Sequence, residues 1–182
     1  MSVLAIYGSS RENGNSEKLA DWVLEGTEHT AIHLRKKTIL PIADKRHDEG
    51  GFQPVEDDFH SVIDAFLKAD TVVFSTPLYW YGMSGSMKDF FDRWSQALRD
   101  EKISFKESVK GKKAYVVIAG GDSPKIKALP LIQQFQYIFD FVGMEFCGYI
   151  IGEANAPGDI EKDKKAAAEA GVMNEQIKHM NK

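Results

Sequence analysis

Three short segments, Val3-Leu4-Ala5-Ile6-Tyr7, Thr71-Val72-Val73-Phe74-Ser75 and Tyr115-Val116-Val117-Ile118-Ala119, are apolar almost without interruption. A strand that reads this way has no solvent face, and a parallel sheet with helices on both sides is the arrangement that hides both faces. Weaker runs at 31–34 and 145–151 extend the set, giving predicted strands at 3–7, 31–34, 71–76, 114–119 and 145–151. Between them the apolar period changes to that of a helix. Leu19, Trp22 and Val23 share a face after the start signal Asn15-Ser16, and Phe59, Val62, Ile63, Phe66 and Leu67 follow the i, i+3, i+4, i+7 rule. Met87, Phe90, Phe91, Trp94 and Leu98 do the same, as do Leu131, Phe135, Ile138, Phe139 and Val142, with Pro130 in the first turn and Gly143 at the end. A charged helix from Asp159 onward carries Ala166, Ala170, Met173 and Ile177 on one side. Strand and helix alternate throughout, which predicts an α/β doubly wound sheet with right-handed crossovers.

The length of 182 residues fits a single domain spanning 1–182, since domains average about 150 residues. At 43% hydrophobic and 27% charged the chain is neither disordered nor fibrous. A net charge of −4 gives no general attraction for nucleic acid or anionic lipid. Cys147 is the one cysteine, so neither an internal disulfide nor a cysteine-ligated metal centre can form within one chain. The five histidines lack metal-ligand spacing, and no serine has the nucleophile-elbow context. The opening residues lack a basic segment and a long apolar run, so the expected location is the cytoplasm. One polar segment, 41–54, is long for a loop in a compact domain.

Ligands of open parallel sheets bind beyond the carboxyl ends of the strands. After the first predicted strand comes Gly8-Ser9-Ser10-Arg11-Glu12-Asn13-Gly14-Asn15-Ser16, rich in donors and leading into a helix. That composition suits a phosphate cradle, with helix N–H groups and a guanidinium facing an anion. It also suits a plainly capped turn. The glycine spacing matches neither a Walker A loop nor G-x-G-x-x-G. After the third strand, Pro77-Leu78-Tyr79-Trp80-Tyr81 puts three aromatics side by side; sequence neighbours cannot all point inward, so they form a wall for a planar ligand or a subunit contact. After the fourth, Gly120-Gly121 is either a tight turn or a pair of exposed backbone donors.

The first loop, with Gly8, Ser9, Arg11, Gly14, Asn15 and Ser16, and the segment TPLYWYGMSGSMKDFFDRW, with Pro77, Tyr79, Trp80, Ser84, Gly85, Met87, Lys88, Phe90, Asp92 and Arg93, together resemble the flavodoxin-like NADPH-dependent FMN reductase family. The likeness is to its small bacterial NAD(P)H-dependent oxidoreductases. It implies a five-stranded parallel sheet of order 2-1-3-4-5 with helices on both faces. It implies FMN, with the phosphate held by Ser9, Arg11, Asn13, Asn15 and Ser16, the isoalloxazine lined by Pro77, Leu78, Tyr79, Trp80 and Tyr81, and its pyrimidine edge near Gly120 and Gly121. The related iron–sulfur flavoproteins carry a cysteine cluster between the second and third strands, and residues 38–59 contain none.

On this resemblance the expected activity is hydride transfer from NADPH or NADH through FMN to a quinone, azo dye, nitroaromatic or free flavin, with no side chain as catalyst and no metal. The alternative is a flavodoxin-type electron carrier, disfavoured by the modest charge and by Arg11, Lys88 and Arg93 in the key segments. The family resemblance also implies a homodimer or homotetramer, with Tyr79, Trp80 and the 41–54 loop as candidate contacts.

Overall fold

The computed structural model describes residues 1–180. Five parallel strands form one sheet: β1 (Val3–Tyr7), β2 (Thr30–His33), β3 (Thr71–Pro77), β4 (Lys113–Gly120) and β5 (Glu145–Glu153), in the order β2-β1-β3-β4-β5. Each strand falls on a predicted apolar run. Ile6 pairs with Ile32 on one side and Phe74 on the other, so the chain turns from one direction of winding to the other at β1 and β3. A crevice therefore opens beyond the carboxyl ends of these two strands.

Among the described residues eight α-helices complete the fold: α1 (Asn15–Val23), α2 (Phe59–Lys68), α3 (Gly85–Asp92), α4 (Trp94–Ala97), α5 (Phe105–Val109), α6 (Pro124–Lys127), α7 (Leu129–Val142) and α8 (Lys164–Met180). One face of the sheet is covered by α1 and α8, where Leu19, Val23, Ala166, Ala170, Met173 and Ile177 pack on Val73, Val117 and Ile150. The other is covered by α2, α3, α4 and α7 in an aromatic core around Phe74, whose ring centroid lies 5.2 Å from Phe91 and 5.5 Å from Phe139. Burial on both sides is why β1, β3 and β4 carry no polar alternation.

The run from Met87 to Leu98 reads as one helix in sequence but is broken at Arg93. The break serves the arginine. Its side chain is buried, donating from Nε to Gln96 at 2.9 Å and from Nη1 to the Leu40 carbonyl at 3.0 Å and to Asp57 at 2.5 Å. Asp57 also accepts from the Leu40 N–H at 3.0 Å. Both ends of the 41–54 loop are thus pinned to one buried ion pair, while the loop itself is exposed and internally paired through Arg46–Asp44 and Lys45–Asp48. A wider apolar groove, about 650 Å³, lies between α4 and α7, flanked by the exposed rings of Tyr137 and Phe141. Among the described residues no helix is long and apolar enough to cross a membrane.

Candidate functional site

The crevice beyond β1 and β3 is a cleft of about 260 Å³, and the turns after β1, β3, β4 and β5 all reach it. Ser9, Arg11, Asn15 and Ser16 line one end; Pro77, Leu78, Tyr79, Gly120 and Gly121 line the other. Helix α1 starts here from Gly14 with no side-chain cap, so its first N–H groups have no intrahelical acceptor. The Ser16 hydroxyl, at its second residue, is buried and has no hydrogen-bond partner among the described residues. A buried, unpaired donor costs about 1–3 kcal/mol unless something fills the cleft to accept from it. The Arg11 side chain is exposed at the same end and makes no hydrogen bond or ion pair among the described residues. Around the cradle the backbone comes too close for side chains: a Cβ on Gly14 would meet Ser9 Oγ at 2.7 Å, and one on Gly121 would meet Asn155 at 2.8 Å.

Three residues expected to hold the phosphate make particular contacts of their own or lie off the cleft. Asn13 does not line the cleft; it is exposed at φ 53°, where its short polar side chain tolerates the left-handed turn that starts the loop toward α1. Asn15 lines the cleft, but its amide is engaged elsewhere, donating to the Ala156 carbonyl at 2.9 Å and accepting from Gly158 at 3.0 Å. It ties the loop after β5 to α1. Ser9 Oγ donates to the Arg11 carbonyl at 2.9 Å and accepts from its N–H at 3.1 Å, which curls the loop.

The aromatic segment is a two-residue hairpin. Tyr79 and Gly82 exchange hydrogen bonds of 3.0 and 2.9 Å, with Trp80 at φ 49° and Tyr81 at φ 64° between them. Two successive positive φ values are the type I′ pattern, ordinarily filled by Asn-Gly. Filling it with bulky rings is strained, and such strain persists where neighbouring structure enforces it, often at functional sites. Trp80 and Tyr81 consequently do not line the cleft proper. They form its mouth, a second hollow of about 400 Å³ shared with Leu78, Gly121, Asp122 and Asn155, and Trp80 is 97% exposed.

Gly120 and Gly121 also differ. Gly120 ends β4 and its carbonyl accepts from Ala154 N–H at 2.7 Å, whereas the Gly121 N–H has no partner among the described residues. Sequence reasoning missed Ala154 and Asn155, which line the cleft from the end of β5. The signal was available, since the last strand of a parallel sheet ends on the same edge as the others. Two of the cations counted against a carrier are neutralised: Lys88 pairs with Asp92 at 2.6 Å and Arg93 is buried with Asp57. No cluster of His, Cys, Asp or Glu among the described residues could hold a metal.

A parallel sheet of order β2-β1-β3-β4-β5 with a crevice beyond β1 and β3, lined by an uncapped helix start and by closely approached glycines, defines a flavodoxin-like α/β protein. Residues 1–149 match the model of the NADPH-dependent FMN reductase family, and the chain belongs to that family of NAD(P)H-dependent oxidoreductases that use FMN. The Bacillus subtilis protein YwqN, named as an NAD(P)H-dependent FMN-containing oxidoreductase, is 50% identical over 174 residues, covering 95% of this chain and 96% of its own. An FMN-dependent NADH:quinone oxidoreductase of Aromatoleum aromaticum is 30% identical, covering 93% of this chain and 96% of its own. The solved structure of the Trp repressor binding protein from Bacillus subtilis superposes with a TM-score of 0.81 at 41% identity, covering 94% of this chain and 97% of that one.

Proposed function

We propose that the cleft holds FMN with its phosphate at the start of α1 and its ring system between the 77–79 segment and Gly121, and that the protein reduces a small planar acceptor (a quinone, azo compound, nitroaromatic or flavin) at the expense of NADPH or NADH. The buried, unpartnered Ser16 hydroxyl carries this reading, because it needs an acceptor from outside the chain. When bound, FMN supplies the hydride and electron chemistry, and the protein supplies orientation and electrostatics. Ser16 and the first N–H groups of α1 donate to the phosphate, and Arg11 adds a charge-assisted contact, each such bond worth about 1.5–3 kcal/mol. The Gly121 N–H, without a partner among the described residues, would donate to the polar edge of the ring and favour negative charge there. Trp80 and Tyr81 at the mouth give an aromatic surface for the second substrate, with stacking worth about 1–3 kcal/mol.

The test is an optical titration of the apoprotein with FMN and with riboflavin, followed by addition of NADPH. Retained yellow colour, bleaching by NADPH, and tighter binding of FMN than riboflavin are expected, with Ser16→Ala and Arg11→Ala weakening FMN but not riboflavin. A protein that takes up neither flavin refutes the reading. Turnover with a quinone, an azo dye and a nitroaromatic in parallel then identifies the acceptor class.

A further inference from the structure

Glu17 lies in the first turn of α1, on the helix end that meets the cleft, with its side chain 7% exposed. A carboxylate there satisfies the positive end of the helix by itself, and so opposes any external anion that seeks the same field. In a site that needs an anion this is a conflict, and the fold answers it from another element. Arg35, in the 3-10 turn Leu34–Lys36 after β2, grips Glu17 with both arms of its guanidinium, Nη1 to Oε2 at 2.6 Å and Nη2 to Oε1 at 3.2 Å. The arginine side chain is itself only 12% exposed, and it also lies 4.0 Å from Glu12. His33 Nδ1 stands 3.5 Å from Glu17 Oε1, the oxygen that Arg35 Nη2 also contacts. Neither Glu17 nor Arg35 lines the cleft, so neither touches a ligand there.

We infer that Arg35 is a positioning residue that cancels the Glu17 charge and thereby keeps the start of α1 electropositive, so that the pair sets the preference for a phosphorylated flavin over an unphosphorylated one. The inference rests on the proposed placement of the FMN phosphate. A plain structural pin between α1 and β2 predicts something different: loss of stability, with FMN and riboflavin affected alike.

The experiment measures FMN and riboflavin dissociation constants for four full-length proteins: wild type, Glu17→Gln, Arg35→Gln and the double variant. Glu17→Gln leaves the arginine charge uncompensated, so FMN affinity rises about tenfold relative to riboflavin, the scale of a charge at a partly buried helix terminus. Arg35→Gln exposes the helix end to the carboxylate and lowers FMN affinity by a similar factor, with riboflavin unmoved. The double variant, neutral at both positions, returns the ratio to that of wild type. Added salt narrows the spread between the single variants, as screening requires. If Arg35→Gln fails to fold, Glu17→Gln and the double variant still decide. A ratio unchanged in Glu17→Gln overturns the inference while leaving the FMN reading intact. Wild type that binds riboflavin as tightly as FMN overturns both.

Discussion

The phenol of Tyr81 donates a 2.8 Å hydrogen bond to Asp122 Oδ2, joining the hairpin after β3 to the turn after β4 across the mouth of the cleft. Lys127 closes the contact from α6, 2.5 Å from the same oxygen and 5.6 Å over the Tyr81 ring. The two turns that carry the proposed ring contacts are thereby held at a fixed separation. A net hydrogen bond contributes about 0.5–1.5 kcal/mol, so Tyr81→Phe is expected to weaken FMN retention a few-fold while leaving the folded core unchanged. Flavin release monitored by fluorescence checks this, with unchanged release counting against the latch.

Trp80 occupies a left-handed position that costs a bulky residue about 1–2 kcal/mol, and it buries almost nothing in return. Asn suits that position of a type I′ turn far better. Trp80→Asn should therefore raise the thermal midpoint by about 2–4 °C for each kcal/mol recovered. The same change removes the most exposed ring at the mouth, so KM for the aromatic acceptor should rise. A variant with an unchanged midpoint and unchanged KM would show that the strained tryptophan serves neither role.

The sheet was legible because its information is local: buried parallel strands must be apolar throughout, and Val3–Tyr7 appears in the structure with the bounds its sequence suggests. The start of α1 was legible for a similar reason: Asn15-Ser16 is a local start signal, and the helix begins at Asn15. What could not be read was long-range partnership. Asn15 looks like an anion ligand in sequence, and only the return of the chain after β5 shows that Ala156 and Gly158 use its amide. Arg93 looks like a surface cation until Asp57, far away in sequence, is brought against it. The hairpin at Trp80 was hidden because its residues contradict turn chemistry, which is where local rules and tertiary demands part company.

The Arg93–Asp57 pair has side chains 2% and 0% exposed, so breaking it should cost far more than a surface pair. Asp57→Asn is expected to lose about 3–5 kcal/mol of stability, because the guanidinium is left buried without its counter-charge. Replacing both, as Asp57→Leu with Arg93→Met, should recover much of that loss. Burial opposes ionisation of Asp57, yet the Arg93 guanidinium and the N–H groups of Leu40 and Phe59 outweigh it and hold the carboxyl below its ordinary 3.8. The pair therefore stabilises the fold above that pH, and its contribution is lost as the pH falls through the lower folded value. Denaturant titrations across the acid range should show this limb in wild type and lack it in Asp57→Asn.

His33 gives a second acid-side edge to test, this one nearer neutrality. Its ring stacks on Tyr7 at 4.6 Å, and burial, aided by Arg35 and Lys36 on the following turn, pushes its pKa below the ordinary 6.5 despite Glu17 and Asp21 on α1. A folded state that resists protonation holds fewer protons than the unfolded chain, so stability rises with pH until the unfolded histidine has titrated. The contribution is complete above 6.5 and is lost as the pH drops toward the folded value. His33→Gln, which cannot titrate, should flatten the pH dependence of the unfolding midpoint just below 6.5. Because the same ring lies 3.5 Å from Glu17, protonation would add a second positive charge beside the carboxylate that Arg35 already holds. The FMN phosphate takes up a proton over the same range (second pKa about 6) in both proteins, so acidification should favour FMN binding more in wild type than in His33→Gln, and two proteins that follow the same slope would place the titrating group elsewhere.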